Sequence, residues 1–302
     1  MSIKKSLQSS LVVNASVPIV IFAILSVLIA FHNYLNVSKD AIKATAENYQ
    51  KGFEAQLNTQ IVEVEAIALH SEIINQLSKK FYNPDVDLRA DITSCTEMHA
   101  FLEQTSNSYG NHVIYSVFDT EGHVIYSSDD ALIGDYSHYI EDMAVTLTAT
   151  QVNSTITLNG VSNAIHIMTP VASKKQPCIG VLVASVDADY FGSFISSETN
   201  TYLLDHASNS LLGIEFQKDQ VKKEAVTCLI QYKNSNESCG TIFIRKGLSF
   251  ELYGYSIMPE YHWVYLAQQD TAMFQSQVGF LPVLMAAVIL VFLFITILTS
   301  SR

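Results

Sequence analysis

Two long windows of the chain are apolar almost throughout and contain no charged residue. The first lies between Lys5 and Lys39, and the second lies between Asp270 and Arg302. Each window is longer than the roughly 20 apolar residues with which a helix crosses the hydrocarbon core of a bilayer. The pattern predicts two transmembrane helices, over residues 11–35 and 273–299, with cytoplasmic ends at residues 1–10 and 300–302.

The orientation of these spans follows from the basic residues that flank them. Lys4 and Lys5 precede the first span and Arg302 follows the second, so both ends are predicted to be cytoplasmic and residues 36–272 extracytoplasmic. A cleaved signal peptide is the alternative interpretation of the first window. The apolar run is longer than a usual signal core and no small-x-small cleavage site ends it, which favours a retained anchor in the lipid bilayer.

A helical stripe of apolar residues begins after Val37. Its members recur every three or four positions and are Ile42, Ala46, Tyr49, Phe53, Leu57, Ile61, Val64 and Ala68. The stripe predicts a long helix to about Lys80, which Asn83-Pro84 would stop, and a second helix follows to about Ser108 within residues 36–110. The stripe must be buried against the protein's own sheet or against a second copy, so a homodimer through this helix is expected.

After Gly110 the period of the apolar positions changes from that of a helix to that of strands. Strands are predicted over residues 112–119, 123–127, 154–158, 164–171 and 178–187, with short helices over 135–145 and 189–196. The segment Thr201–Asp205 then resembles Tyr115–Asp119, and the chain repeats the outline about 85 residues later. The order of elements predicts an α+β fold with two sheet modules, residues 111–197 and 198–272.

The amino-acid composition and the net charge exclude some classes of protein. Hydrophobic residues make up 49% of the 302 residues, charged residues only 15%, and the mean hydropathy is +0.22. All 29 acidic residues and 14 of the 17 basic residues lie between Lys39 and Asp270. This acidic balance argues against nucleic acid as a partner, because binding phosphates needs a basic face.

The sequence carries no motif that would supply enzyme chemistry. It has no Gly-x-Ser-x-Gly turn, no His-Glu-x-x-His helix, no phosphate-binding loop and no dinucleotide glycine fingerprint. The nine histidines are scattered without ligand spacing. We therefore expect no enzyme, no catalytic residue, no metal site and no cofactor. An ectoenzyme would need catalytic residues that are distant in sequence and come together only in the folded protein.

The cysteines leave one question open. Cys228 and Cys239 are predicted in adjacent strands around the turn at residues 234–238, and a disulfide is permitted outside the membrane. Symmetric pairing around that turn would place Tyr232, and not Cys228, opposite Cys239. The alternatives are a disulfide and two buried thiols.

Several short motifs resemble one family of sensor domains. The runs at residues 122–127, 134–139, 163–170 and 180–187 resemble those of double Cache domains, and residues 254–263 are similar to the end of their membrane-proximal module. The resemblance covers about residues 36–275. It implies two PAS-like antiparallel-sheet modules stacked on a long N-terminal helix and flanked by two transmembrane helices, with a small-molecule pocket in the membrane-distal module, residues 111–197.

The resemblance also implies which residues would hold the ligand. Amino-acid-binding members carry an arginine before paired aromatics, and an aspartate at the end of the last distal strand; here His138 stands where the arginine is expected, and Asp187 matches the aspartate. A small polar ligand (an amine, an amino acid or a carboxylate) is implied. The expected pocket residues are Tyr115, Tyr126, Tyr136, His138, Tyr139, His166, Met168 and Asp187. The alternative is that the tyrosines are core packing.

These observations predict the extracytoplasmic sensor region of a bacterial membrane receptor of the chemoreceptor, histidine kinase or diguanylate cyclase type. No cyclase, kinase or methyl-accepting signature occurs in the 302 residues. The output is therefore expected in a longer receptor or in a separate cytoplasmic or membrane signalling partner. The alternative is a membrane-tethered interaction or adhesion protein without a small-molecule ligand.

Overall fold

The apolar N-terminal segment and the helical stripe form a single helix, α1, Ile3–Ala68. The computed structural model describes the following residues: 3–86, 92–154, 156–158, 164–195, 200–205, 218–235, 237–246, 249–269, 287–288, 290–291 and 294. Within them, one helical segment is long and apolar enough to cross a membrane, Ile21–Ala68, whose best window has a mean hydropathy of 1.6. The predicted second span lies almost wholly outside the described residues.

The helix predicted to continue to Lys80 breaks earlier. Two i→i+3 backbone hydrogen bonds, from Leu69 N to Ala66 O and from His70 N to Ile67 O, end α1. Helix α2, Ser71–Tyr82, then starts anew, and the His70 ring stacks on Phe101 at a centroid distance of 4.5 Å. No proline or glycine marks this break, and the contact of His70 with the distant residue Phe101 accompanies it.

Three further helices and two short 3-10 helices have their bounds within the described residues. These are α3, Ile92–Ser108; α4, His138–Ala144; α5, Asp219–Ser235; and the 3-10 helices Asp130–Leu132 and Ala188–Phe191. Helix α5 was not expected, and it places Cys228 in a helix where a strand was predicted. Cys178, Cys228 and Cys239 form no disulfide.

The strands form two antiparallel sheets. The first contains β1, Val113–Phe118; β2, Val124–Ser127; β3, Gln151–Asn153; β4, Ala164–Val171; and β5, Gly180–Asp187. The second contains β6, Thr201–Leu204; β7, Cys239–Lys246; β8, Ser249–Met258; and β9, Trp263–Gln268. The strand predicted over 154–158 forms earlier, as β3.

The order of strands repeats between the two sheets. The first sheet has the order β2-β1-β5-β4-β3, and the second has the order β6-β9-β8-β7. The run β1-β5-β4-β3 therefore corresponds strand for strand to β6-β9-β8-β7. This agrees with the internal similarity of the sequence, in which β6 resembles β1. The chain is thus α+β, with a long N-terminal helix and two sheets of matching order.

The chain divides into two compact units, residues 1–46, 239–255 and 267–302, and residues 47–238 and 256–266. The first unit holds a small apolar cluster in which Ile42 and Ala46 pack with Leu252 and Ala267. The second unit holds the main core, in which Phe53, Leu57 and Val64 of α1 cover the first sheet. These three stripe positions are fully buried, as their helical spacing predicted.

Candidate functional site

The register of the first sheet sorts the predicted site residues onto two faces. Tyr115 pairs with Ala184, which pairs with Ile167, while Ser185 pairs with His166. Because neighbouring residues of a strand point to opposite faces, Tyr115 and His166 lie on opposite faces. The face that carries Tyr115 packs against α1 and is called the helix face below; the other packs against α4 and is called the α4 face.

His166 is fully buried on the α4 face. Its Nε2 lies 3.1 Å from the Ile156 carbonyl oxygen and its Nδ1 lies 2.8 Å from Ser185 Oγ. A carbonyl oxygen only accepts hydrogen bonds, so Nε2 carries the proton of the neutral ring and Nδ1 accepts from the serine hydroxyl. Burial lowers the pKa of His166 to about 4. The imidazole is therefore neutral near pH 7, and its two nitrogens are already hydrogen-bonded.

Met168 is also fully buried on the α4 face, beside an apolar cluster. The cluster joins the sheet to α4 through Ile140 and Met143. Ser137 begins α4 by accepting a hydrogen bond from Ile140 N at 3.4 Å. Gly122 lets this helix start approach the β1–β2 turn, since its φ is +81° and a Cβ there would lie 2.4 Å from the Ser137 carbonyl oxygen.

An exposed polar trio lies at the start of α4. The Tyr136 hydroxyl donates to Glu141, and His138 Nδ1 lies 3.0 Å from Glu141 Oε2 and 3.3 Å from the Tyr136 hydroxyl. The hydrogen bond to Glu141 and the charge of Asp142 raise the pKa of His138. Hydrogen bonds from Tyr136 and His138 lower the pKa of Glu141. The trio is an exposed hydrogen-bonding surface that joins a carboxylate, a phenol hydroxyl and an imidazole.

Tyr139 joins this surface to the edge of the sheet. Its hydroxyl accepts a hydrogen bond from Asn153 Nδ2 of β3 at 3.1 Å. Tyr136, His138 and Tyr139 are therefore neighbours over the α4 face, with His166 and Met168 buried on that face of the sheet. Glu141, Asn153 and Ser185 were not foreseen, because their contacts come from strand pairing and from the position of α4.

Asp187 lies at the other end of the sheet. It ends β5, and its Oδ1 accepts from Asp189 N at 3.3 Å, which caps the second 3-10 helix. The start of β5, Val181, pairs with Phe118 beside the β1–β2 turn, where Tyr136 bridges His123. Six residues of strand separate Val181 from Asp187, about 20 Å. Asp187 is thus remote from the trio.

Tyr115 and Tyr126 belong to the helix face, where both are buried in the main core. The structure thus distributes the expected pocket residues: these two tyrosines pack beneath α1, five residues lie at the α4 face, and Asp187 ends β5 two residues beyond Ser185. The reason is the period of two in a strand, by which a one-residue offset in register exchanges the faces.

A buried polar cluster on the helix face was missed. Gln60 Nε2 donates to the Tyr190 hydroxyl at 3.0 Å, Gln56 Nε2 donates to the Tyr190 carbonyl oxygen at 3.0 Å, and the Tyr109 hydroxyl donates to Glu63. Burial raises the pKa of Glu63, and burial with the charges of Glu63 and Tyr190 raises that of Tyr115. The sequence did contain a signal for this cluster, because Gln56, Gln60 and Glu63 follow one another at steps of four and three residues between the apolar stripe positions of α1.

Among the described residues, one group has metal-ligand chemistry. The ligand atoms of Asp119, Glu121 and His123 lie within 4.8 Å of one another. Asp119 Oδ1 accepts hydrogen bonds from the backbone N–H groups of Glu121 and His123, at 3.0 and 2.9 Å. That carboxylate stabilises the β1–β2 turn, which accounts for the position of all three residues.

Comparison with known proteins relates this architecture to one group of sensors. No protein-family model matches the chain and no curated protein matches it in sequence. Solved structures do match, among them the extracellular domain of rpHK1S-Z16, a protein assigned as a histidine kinase. Its sequence is 12% identical and the TM-score is 0.54. The alignment covers 79% of this chain and 98% of that domain. The fold is that of the double Cache sensor domains.

Two further double Cache structures agree. The sensor domain of the histidine kinase DctB of V. cholerae is 11% identical with a TM-score of 0.51, and 76% of this chain covers 97% of it. The ligand-binding domain of the Campylobacter jejuni chemoreceptor Tlp3, in complex with L-norvaline, is 10% identical with a TM-score of 0.53, and 80% of this chain covers 92% of it. At such identities the likeness concerns the fold.

Proposed function

We propose that this chain is the extracytoplasmic small-molecule sensor region of a bacterial membrane receptor, of the chemoreceptor, histidine kinase or diguanylate cyclase type. The observation that carries the proposal is the double Cache fold, in which the two sheets repeat one strand order. Such domains, in DctB and Tlp3, are sensor and ligand-binding domains. The long helix α1, which includes an apolar segment suited to a bilayer, supports a membrane-anchored sensor.

The ligand site that we propose is the α4 face of the first sheet, within the membrane-distal module, residues 111–197. Tyr136, His138 and Tyr139 would contact the ligand, above the buried His166 and Met168. Glu141 and Asp142 beside His138 favour a ligand that carries an ammonium group, while protonated His138 can pair with a carboxylate. A small amino acid or amine meets both conditions, and Tlp3 was crystallised with L-norvaline.

The test is a thermal-shift screen of the full chain in lipid nanodiscs against L-amino acids, primary amines and small carboxylates. A ligand that binds only the folded protein raises its melting temperature with concentration. We expect His138→Ala and Tyr139→Phe to abolish the shift. Tyr82→Phe, at an exposed tyrosine of α2, is the matched control. No stabilising compound, or a shift that persists in both site variants, would contradict this site.

The membrane arrangement is part of the proposal: spans at residues 11–35 and 273–299, both ends inside, and residues 36–272 outside. The exposed turn between β4 and β5 carries Lys174 and Lys175, a ready site for trypsin. Trypsin added to intact cells is expected to cut there, and a variant with both lysines changed to glutamine is expected to resist that cut. Cleavage only after permeabilisation would refute the orientation.

A homodimer through α1 is also proposed. Val62 of α1 and Leu69, the residue after its end, lie seven residues apart and are 65% and 73% exposed, so they offer apolar surface to a second copy of the chain. The same surface supports the alternative function, a membrane-tethered interaction or adhesion protein, in which it would contact another protein. Light scattering of the full chain in detergent separates the two functions. If α1 forms a homodimer, the original chain has the mass of a dimer and Val62→Glu has the mass of a monomer. If the surface contacts a different protein, both chains have the mass of a monomer.

A further inference from the structure

A cleft beside the edge of the first sheet has no part in the site above. Three segments that are far apart in sequence line it: α1, the start of β3 and the β8–β9 turn. Its volume is about 600 Å³, within the range of small-molecule sites, which runs from about 300 to 1,000 Å³. The residues used below are Asn58, Glu65, Thr150, Gln151, Glu260 and Tyr261, and we call it the β3 cleft.

One carboxylate of the β3 cleft is held in place. Thr150 Oγ donates to Glu65 Oε1 at 2.6 Å, and Thr150 Oγ also lies 3.1 Å from Thr169 Oγ. A carboxylate only accepts, so the Thr150 proton points to Glu65 and the Thr169 hydroxyl donates to Thr150. This relay orients Glu65 and engages only one of its two oxygens, so that the other is available to a ligand.

An aromatic ring stands on the opposite wall. Tyr261 is half-buried and stacks on Trp263, with ring centroids 4.9 Å apart. Burial raises the pKa of the Tyr261 hydroxyl, and the charges of Glu260 and Glu54 raise it further. The ring is therefore rigidly packed and lies in a negative electrostatic potential, which is the environment that favours a cation over an aromatic face.

The remaining lining consists of acceptors and amides. Asn58 and Gln151 contribute side-chain amides, and β3 is the edge strand of its sheet, so its outer backbone carbonyls face away from any strand partner. None of the lining residues in the described part of the chain is basic. The Glu65 and Glu260 carboxylates would repel an anion, and no basic residue of this lining would offset that repulsion. The same two carboxylates would neutralise the charge of a cation.

From this geometry we propose that the β3 cleft binds a small organic cation of the amine or quaternary ammonium class, between the Glu65 and Glu260 carboxylates and the Tyr261 ring. The cleft is separate from the α4 face, and the proposal stands whether or not a ligand binds there. Elements of both sheet modules line the cleft, so a bound cation would contact both.

The probe is choline, with 3,3-dimethylbutanol as its neutral counterpart of the same shape. Isothermal titration of the full chain in nanodiscs is expected to show saturable choline binding and no binding of the alcohol, because only choline carries the charge. Glu65→Gln and Glu260→Gln are each expected to weaken binding about tenfold. Glu224→Gln, at an exposed glutamate of α5, is the matched control and leaves the affinity unchanged.

A second pair of variants tests the aromatic wall. Tyr261→Phe keeps the ring and is expected to keep choline binding, while Tyr261→Leu loses it; the melting temperature of each variant verifies that it is folded. The proposal is overturned if no choline binding is measurable up to about 10 mM, if the alcohol binds equally well, if Ca²⁺ binds the cleft in place of choline, or if both glutamine variants retain the original affinity.

Discussion

The two faces of the first sheet are buried in different ways. On the helix face, the 66-residue helix α1 covers the sheet and buries Phe53 and Leu57 together with the polar cluster of Gln56, Gln60 and Glu63. On the α4 face, the seven-residue helix α4 covers a smaller apolar cluster, and His166 and Ser185 are buried polar groups. A long helix therefore covers one face of the sheet and a short helix covers the other.

This difference teaches where a signal could start. A ligand shifts the equilibrium between two conformations of a protein only when it binds one of them more tightly than the other. The α4 face combines a small cover with an exposed polar trio, whereas the helix face links the same sheet to α1. The first face suits recognition and the second suits transmission. The following predictions break or sharpen that contrast, from the largest expected effect to the smallest.

The largest effect is expected from truncating a leucine under α1. Leu57 and Leu147 are both almost completely buried, on the helix face and the α4 face respectively. Leu57→Ala should cost about 4 kcal/mol of unfolding free energy and Leu147→Ala about 2 kcal/mol, because a cavity below a short helix collapses more easily than one below a long helix. Urea unfolding measures both; equal costs would contradict the contrast.

The next effect is a loss of stability in acid caused by His166. Its pKa is about 4 in the folded protein and about 6.5 when unfolded. Its contribution is therefore complete above pH 6.5 and is lost as the pH falls toward 4, by up to about 3 kcal/mol. His166→Gln removes this loss between pH 6.5 and 4 in urea unfolding. An unchanged pH dependence would show that another group causes it.

Glu63 is expected to act with the opposite sign on the helix face. Burial raises its pKa in the folded protein, so its favourable contribution is present below the unfolded value of about 4.5 and is lost as the pH rises through the folded value. Glu63→Gln should make stability less dependent on pH above 4.5. Glu224→Gln is the control, and a steeper dependence in Glu63→Gln would refute the assignment.

The smallest effect is expected at the exposed trio. His138, with 73% of its side chain exposed, pairs with Glu141 at the surface, and exposed ion pairs contribute little to stability. Glu141→Gln should therefore leave the melting temperature unchanged and still alter ligand affinity, if the trio contacts the ligand. A fall of several degrees would mean that the trio holds α4 in place, and that its role is structural.

Much of the secondary structure could be predicted from local patterns. The stripe that contains Phe53, Leu57 and Val64 is buried as its spacing indicated. The strand Ala164–Val171 lies where alternation placed it, and Thr201–Leu204 lies where its resemblance to β1 indicated. Helix α5 was missed although Val221, Ala225 and Leu229 are buried at four-residue steps, which is a helical period. The segment was interpreted as a strand that precedes the turn at residues 234–238.

The candidate site was harder to predict, because its residues come together through pairing between distant strands. Tyr115, His166 and Asp187 were each reasonable as polar or aromatic members of strands, but nothing local relates the face of β1 to the face of β4. The break at Leu69 is of the same kind: local propensity favours a continuing helix, and the stack of His70 on Phe101 accompanies the turn.

The sequence by itself determined the uncharged windows, the helical stripe and the alternation along the strands. Each of these features depends on the free energy of transferring the side chains of a single segment out of water. Those free energies belong to single residues and their near neighbours, so their pattern is visible in one dimension. Which residues share a site was decided only by the tertiary structure, because strand register and the position of α4 depend on contacts between distant segments. A shift of one residue there would have exchanged the two faces.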